Sequence, residues 1–204
     1  VRDKVSHDEL NSLGIDNKFV PDMTFALSSE LQHKQQKPLC VVDSVMQSDV
    51  PKLKKFSQAH NADYCSMIVA RPSNYSPWKK TRRFILETWK WFFKERDRSL
   101  DPKDFEQYLG QYQLVVTGRY HTVTMCLKNR IPFVALESNT PKISFLLNEV
   151  FGGTSRVISI DGLNQVDLDR WRKFSEAEEK AIDEFLEKAI VENQSMIKTI
   201  LGSI

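Results

Sequence analysis

Between Leu114 and Lys142 the chain reads LVVTGRYHTVTMCLKNRIPFVALESNTPK. An apolar run ends at Gly118, and Arg119 and His121 follow directly, before a segment with one apolar face. If Thr117-Gly118 is a turn from strand to helix, the helix start directs free backbone N–H groups and a partial positive charge at the place where Arg119 sits. That combination holds an anion. His121 would fall in the first turn, where neighbouring charge tunes a side chain that exchanges protons near neutral pH. The next junction supplies Ser138, Asn139 and Lys142, ahead of a second helix that starts near Pro141. An arginine at a strand end is more often a surface or ion-paired residue, and a single histidine is more often structural. It is the grouping of Arg, His, Asn and Lys on two adjacent junctions that points to an anion site.

The elements that would position these groups follow from periodicity. Short apolar runs at Leu39–Val42, Tyr64–Ala70, Leu114–Val116, Pro132–Leu136 and Arg156–Ile160 are too short for helices and rich in β-branched residues. Amphipathic stretches alternate with them, including a long one from about Pro77 to Arg96 and another from Tyr120 to Lys128. Ser6 with Glu9 reads as a capping box for a short first helix closed by Gly14, and Ser175 with Glu178 as one for a long terminal helix. Lys18 to Val20 reads as a short strand. The alternation predicts an α/β fold with a doubly wound, mainly parallel, Rossmann-like sheet from about residue 37 to 204. Ligands of such sheets sit outside the carboxyl ends of the strands. The residues there are Asp43, Ser44, Arg71, Gly118, Arg119, Glu137, Ser138, Asn139 and Asp161.

Composition narrows the classes. The 204 residues carry 29 Lys and Arg against 27 Asp and Glu, a net charge of +2, without the basic excess of a nucleic-acid binder. Cys40, Cys65 and Cys126 lie apart inside apolar segments and read as reduced, buried thiols. No ligand cluster argues for a metal, and no G-x-G-x-x-G or P-loop argues for a dinucleotide or Mg-ATP. No apolar run approaches the roughly 20 residues needed to span a bilayer, and no signal-type segment opens the chain. The expected location is cytoplasmic. The chain starts at Val1 without an initiator methionine, which suggests a segment of something longer.

The motif GRYH, followed by an apolar helix and then RIPFVALESNTPK, resembles the C-terminal signature of the polysaccharide pyruvyl transferase family. VRDKVSHDELNSLGI and VPDMTFAL at the start resemble that family's mid-chain segment. The resemblance implies a two-lobed, GT-B-like enzyme, with residues 1–36 as the connection from a first lobe and 37–204 as the donor-binding lobe. It also implies transfer of pyruvate from phosphoenolpyruvate, the donor substrate, to hydroxyls of a saccharide or lipid-linked glycan, with no separate cofactor. On this resemblance Arg119 would bind the donor's phosphate or carboxylate and His121 would bind the anion or transfer a proton. Gly118, Ser138, Asn139, Lys142 and Arg71 would line the donor site. Arg2 and Asp3 match the mid-chain pair and, with Trp78, are candidate contacts to the acceptor or the other lobe.

The segment from Lys79 to Arg98, KKTRRFILETWKWFFKERDR, interleaves aromatic and basic residues. It reads either as a helix packed on the sheet or as one resting on a membrane surface near a lipid-linked acceptor. Two rival readings remain: a GT-B lobe using a nucleotide sugar, and a non-catalytic glycan- or membrane-binding module of a longer protein. At this stage Arg119→Ala is expected to weaken donor binding with little loss of stability.

Overall fold

The computed structural model describes residues 1–29, 31, 35–67, 81–90 and 102–202. Its centre is a five-stranded sheet: β1 (Cys40–Ser44), β2 (Asp63–Cys65), β3 (Val115–Gly118), β4 (Phe133–Leu136) and β5 (Val157–Ile158). Strand order is β2-β1-β3-β4-β5, and every neighbouring pair is parallel. The chain builds outward in one direction through β2, then returns to the other side of β1 with β3. The order therefore reverses between β1 and β3, which is where a doubly wound sheet opens a crevice. The expected fold class is the one observed.

The helices are α1 (Lys4–Ser12), α2 (Val50–Ala59), α3 (Thr81–Lys90), α4 (Pro102–Leu109), α5 (Tyr120–Lys128), α6 (Lys142–Phe151), α7 (Leu168–Trp171) and α8 (Glu176–Leu201). Strands buried on both faces need apolar side chains pointing both ways, and β1, β3 and β4 supply them. One face meets α2 and the single turn at Leu163–Gln165 through Leu53, Phe56 and Leu163. The other meets α5, α6 and α8 through Val123, Ile143, Leu147, Ile182 and Phe185. Phe25, in a 3₁₀ turn at Met23–Phe25, is fully buried in that second core and sets its ring edge-on to Phe185 at 5.1 Å. The segment preceding the sheet is thus anchored on the α5/α8 face. Cys40, Cys65 and Cys126 are buried and free.

The fifth strand is shorter than the expected Arg156–Ile160, because Arg156 serves a different purpose. Its side chain is 1% exposed and donates to Glu178 twice, to the Phe133 carbonyl and to the Lys173 carbonyl, with its guanidinium 4.3 Å from the Phe174 ring centroid. A buried guanidinium is tolerable only when its donors are used and its charge is paired. Glu178 answers both needs, and it also closes the capping box of α8 with Ser175. Burial pushes the Glu178 carboxyl up, but the Arg156 hydrogen bond, the Ser175 backbone bond and the Arg156 charge outweigh it and hold the group below its ordinary value. A lowered folded pKa contributes stability that is complete above the unfolded value and is lost as pH falls through the folded one. Stability should therefore decline below about pH 4.3, and Glu178→Gln should flatten that acid limb in denaturation measured against pH. An unchanged limb would mean that the pair contributes nothing.

The cap of the first helix lies three residues earlier than expected. Asp3 has extended backbone (φ −135°, ψ 146°), and its carboxylate accepts from both the amide and the hydroxyl of Ser6. Ser6 is therefore the capped residue and Asp3 the cap. Gly14 does close this helix, at φ +71°. Lys18 to Val20 forms no strand of the sheet; the Val20 amide instead bonds the Val1 carbonyl, and the Val1 amino group bonds the Lys18 carbonyl. Of the expected strand Tyr64–Ala70, residues 68–70 lie outside the described residues, as do 77–80 and 91–96 of the long helix.

Candidate functional site

At the reversal point, β1 and β3 touch at their carboxyl ends. A Cβ placed on Gly118 would fall 2.4 Å from Ser44 Oγ and 3.0 Å from Ser44 Cα. Only a residue without a side chain allows this approach. Gly118→Ala should force the strands apart and cost about 1–3 kcal/mol in urea denaturation, with Ser44→Gly recovering part of the loss. A neutral Gly118→Ala would show that the strands separate freely there.

The register between β1 and β3 slips by one residue here. Val42 opposes Thr117 and Ser44 opposes Gly118, which leaves Asp43 without a position across the ladder. Such bulges re-aim side chains. The Asp43 carboxylate, 9% exposed, accepts from Arg119 Nε at 2.9 Å and Nη2 at 2.7 Å, from Ser66 Oγ at 2.7 Å and from the Met67 amide at 3.3 Å. Arg119 thus points one edge of its fork at a buried partner. The expected loss of donor binding without loss of stability from Arg119→Ala needs correction on its second part, because removing this arginine strands a buried carboxylate.

Arg119 is also the N-cap residue of α5. Its backbone is extended, its amide bonds Thr117 Oγ1 at 3.0 Å, and no side chain caps the helix. The first-turn amides are left facing outward, with the helix dipole behind them. His121 stands exposed in that turn, its ring edge-on to Tyr120 at 5.5 Å between centroids. Arg2 reaches the same spot from the start of the chain. Its guanidinium carbon lies 4.9 Å from the Tyr120 ring centroid, and its Nη1 donates to Asp22 at 3.0 Å. Burial pushes the Asp22 carboxyl up, but hydrogen bonds from Thr24 and the charges of His121 and Arg2 bring it below its ordinary value. Asp22 is thus held as an anion beside Arg2. Burial, reinforced by the Asp22 charge, pushes the Tyr120 phenol well up, so Tyr120 remains a neutral hydroxyl.

The neighbouring junction is bound up in its own turn. Ser138 donates its hydroxyl to the Thr140 carbonyl, while Glu137 accepts from the Ser138 amide and the Ser144 hydroxyl. Asn139 is exposed. Helix α6 begins without a side-chain cap, and exposed Lys142 opens it. A cavity of about 600 Å³ reaches Lys142 but not Ser138 or Asn139, and Arg2, Asp3 and Tyr120 share its wall. The structure therefore brings Arg2, Tyr120 and Lys142 to one hollow, with His121 beside it. Asp161, at the end of β5, is instead paired with Lys52 on the α2 side. Arg71 and Trp78 lie outside the described residues.

A sequence profile of the polysaccharide pyruvyl transferase family matches residues 1–140. The chain belongs to that family. The match takes in Arg2, Asp3, Asp22, Asp43, Arg119 and His121, and ends just before Lys142. Membership makes pyruvyl transfer to polysaccharide the general activity of the group in which this chain stands. No curated protein and no solved structure matches the chain. Among the described residues, no helix is long and apolar enough to cross a membrane, and no group of three or more His, Cys, Asp or Glu could hold a metal. Half of 79–98 falls outside the described residues. In the described part, α3, Ile85, Leu86 and Trp89 are exposed.

Asp22 and Asp43 matter most among the groups that the sequence did not single out for a role. Asp43 appeared only as a residue at a strand end. Asp22 stands two residues after the short strand expected at Lys18 to Val20. No local pattern marks either as the partner of an arginine, since both pairings span long stretches of chain.

Proposed function

We propose that this chain is the donor-binding lobe of a pyruvyl transferase that moves pyruvate from phosphoenolpyruvate to saccharide hydroxyls, residues 1–36 connecting it to a first lobe. The observation that carries the reading is the meeting of Arg2, Tyr120 and His121 at the uncapped start of α5. Phosphoenolpyruvate carries about three negative charges at neutral pH. Binding it takes several cations and helix N-termini in a small volume. Arg2, Lys142 and the starts of α5 and α6 supply these. Arg119, held edge-on by Asp43, fixes the junction from which the α5 amides project, so its role in this proposal is positional.

Pyruvyl transfer requires a proton at the methylene carbon, and in this reading His121 delivers it. As C3 becomes a methyl group, positive charge develops at C2. A hydroxyl oxygen of the acceptor bonds to C2 and releases its proton, and the C2–O bond to phosphate breaks. A second hydroxyl closes the ketal. The two hydroxyl protons are accounted for by the new methyl group and the departing hydrogen phosphate. Oriented amides and an arginine at the anion lower the barrier by acting where charge changes.

The rival donor is a nucleotide sugar. A thermal-shift comparison with phosphoenolpyruvate, inorganic phosphate and UDP distinguishes them, because a ligand of the folded state raises its melting temperature. The reading predicts a rise with phosphoenolpyruvate that Arg2→Ala diminishes. A rise with UDP alone would overturn it.

A further inference from the structure

The cavity extends well past the groups assigned to the donor. Beyond Arg2, Tyr120 and Lys142 its wall is built from α1, the segment that follows it, α6 and α8, with Lys4, Phe19, Phe145, Asn148, Glu149 and Lys188 lining it. Phosphoenolpyruvate would fill only a part of about 600 Å³, a volume in the range of small-molecule sites.

We propose that this inner part, between α1 and α6, is the acceptor subsite and takes an uncharged pyranose ring. The inference rests on the donor reading above. A pyranose has an apolar C–H face and an equator of hydroxyls that both donate and accept. Phe19 and Phe145 provide aromatic surface for the face, while Asn148 and Glu149 provide an amide and a carboxylate for the equator. The subsite adjoins Tyr120 and Lys142, so a hydroxyl placed there lies next to the donor.

The charge balance argues for a neutral ring. Arg2 is paired with Asp22, and Asp3 is used by the α1 cap. Lys4 and Lys188 both act electrostatically on Glu149, so the cations of this inner part already face an anion. Burial pushes the Glu149 carboxyl up, and Glu192 adds to the rise, while the residue is exposed and its oxygens can accept a hydrogen bond. A sugar hydroxyl donates such a bond; a second carboxylate, as in a uronic acid, would add repulsion.

The test is saturation-transfer NMR with the methyl glycosides of glucose, galactose and mannose and with methyl glucuronide, on the parent chain, Asn148→Trp and Glu149→Gln. Asn148 is exposed on α6, so a tryptophan there fills the hollow without disturbing the core, and melting curves confirm that the variants fold. At least one neutral glycoside should show transfer, at least several-fold above the glucuronide. That signal should vanish in Asn148→Trp and fall about tenfold in affinity in Glu149→Gln. Absence of transfer to every neutral glycoside, survival of the signal in both variants, or preference for the glucuronide would each overturn the assignment. The phosphoenolpyruvate melting shift, read on the same samples, separates the two claims. If that shift persists while no sugar binds, the acceptor subsite alone fails; if sugar binds and the shift is missing, the donor reading fails.

Discussion

His121→Ala should lower turnover of phosphoenolpyruvate by about 10²–10⁴-fold in a preparation that transfers pyruvate, with donor affinity changed only a few-fold. The asymmetry follows from placement. In the proposed reading Arg2, Lys142 and two helix starts share the work of holding the anion, so losing one exposed histidine removes a small part of binding. In the proposed reading His121 protonates the methylene carbon, since burial holds the Tyr120 hydroxyl protonated. Asp22 faces His121 and Arg2 as an anion, so Asp22→Asn should produce a milder version of the same loss together with weaker donor binding, as Arg2 loses its anchor. Single-turnover kinetics separate the two effects. Wild-type turnover in His121→Ala would remove His121 from the chemistry.

Arg119→Ala should cost about 3–5 kcal/mol of stability, the usual penalty for stranding one member of a buried ion pair. The Ser66 hydroxyl and the Met67 amide still reach Asp43, which places the expectation toward the lower end. Replacing Asp43 as well should recover much of the loss, because the double variant no longer buries an uncompensated charge. Chemical denaturation of the four proteins of this cycle measures the coupling. If Arg119→Ala were as stable as the parent, the pair would contribute nothing net to folding and the positional role given to Arg119 would fail.

These two residues also show how far the sequence reaches. The start of α5 was legible because a β-branched run, a glycine and an apolar-faced segment follow one another within a few positions, and each is a local signal. The same holds for Gly152 at the end of α6, at φ +68°, and for the Ser175–Glu178 box. The partner of Arg119 was not legible. It depends on β3 lying beside β1 rather than β2, and on a one-residue bulge that turns Asp43 toward it; alternation of strands and helices fixes neither. Arg156 is a similar case. By pattern it is the first residue of a strand, but its neighbours Glu178, Phe174 and Trp171 come from the turn and helix that follow. The cap of α1 was misplaced because Ser6–Glu9 and Asp3–Ser6 are both good local signatures. The extended backbone at Asp3 decides between them.

The central claim is that phosphoenolpyruvate binds at the uncapped start of α5, and backbone amide NMR tests it most directly. On titration with phosphoenolpyruvate, the amides of Tyr120, His121 and Thr122 should shift most, followed by those at the start of α6, with little change on titration with UDP. Shifts confined to other parts of the sheet, or a response of these amides to UDP in place of phosphoenolpyruvate, would contradict the account.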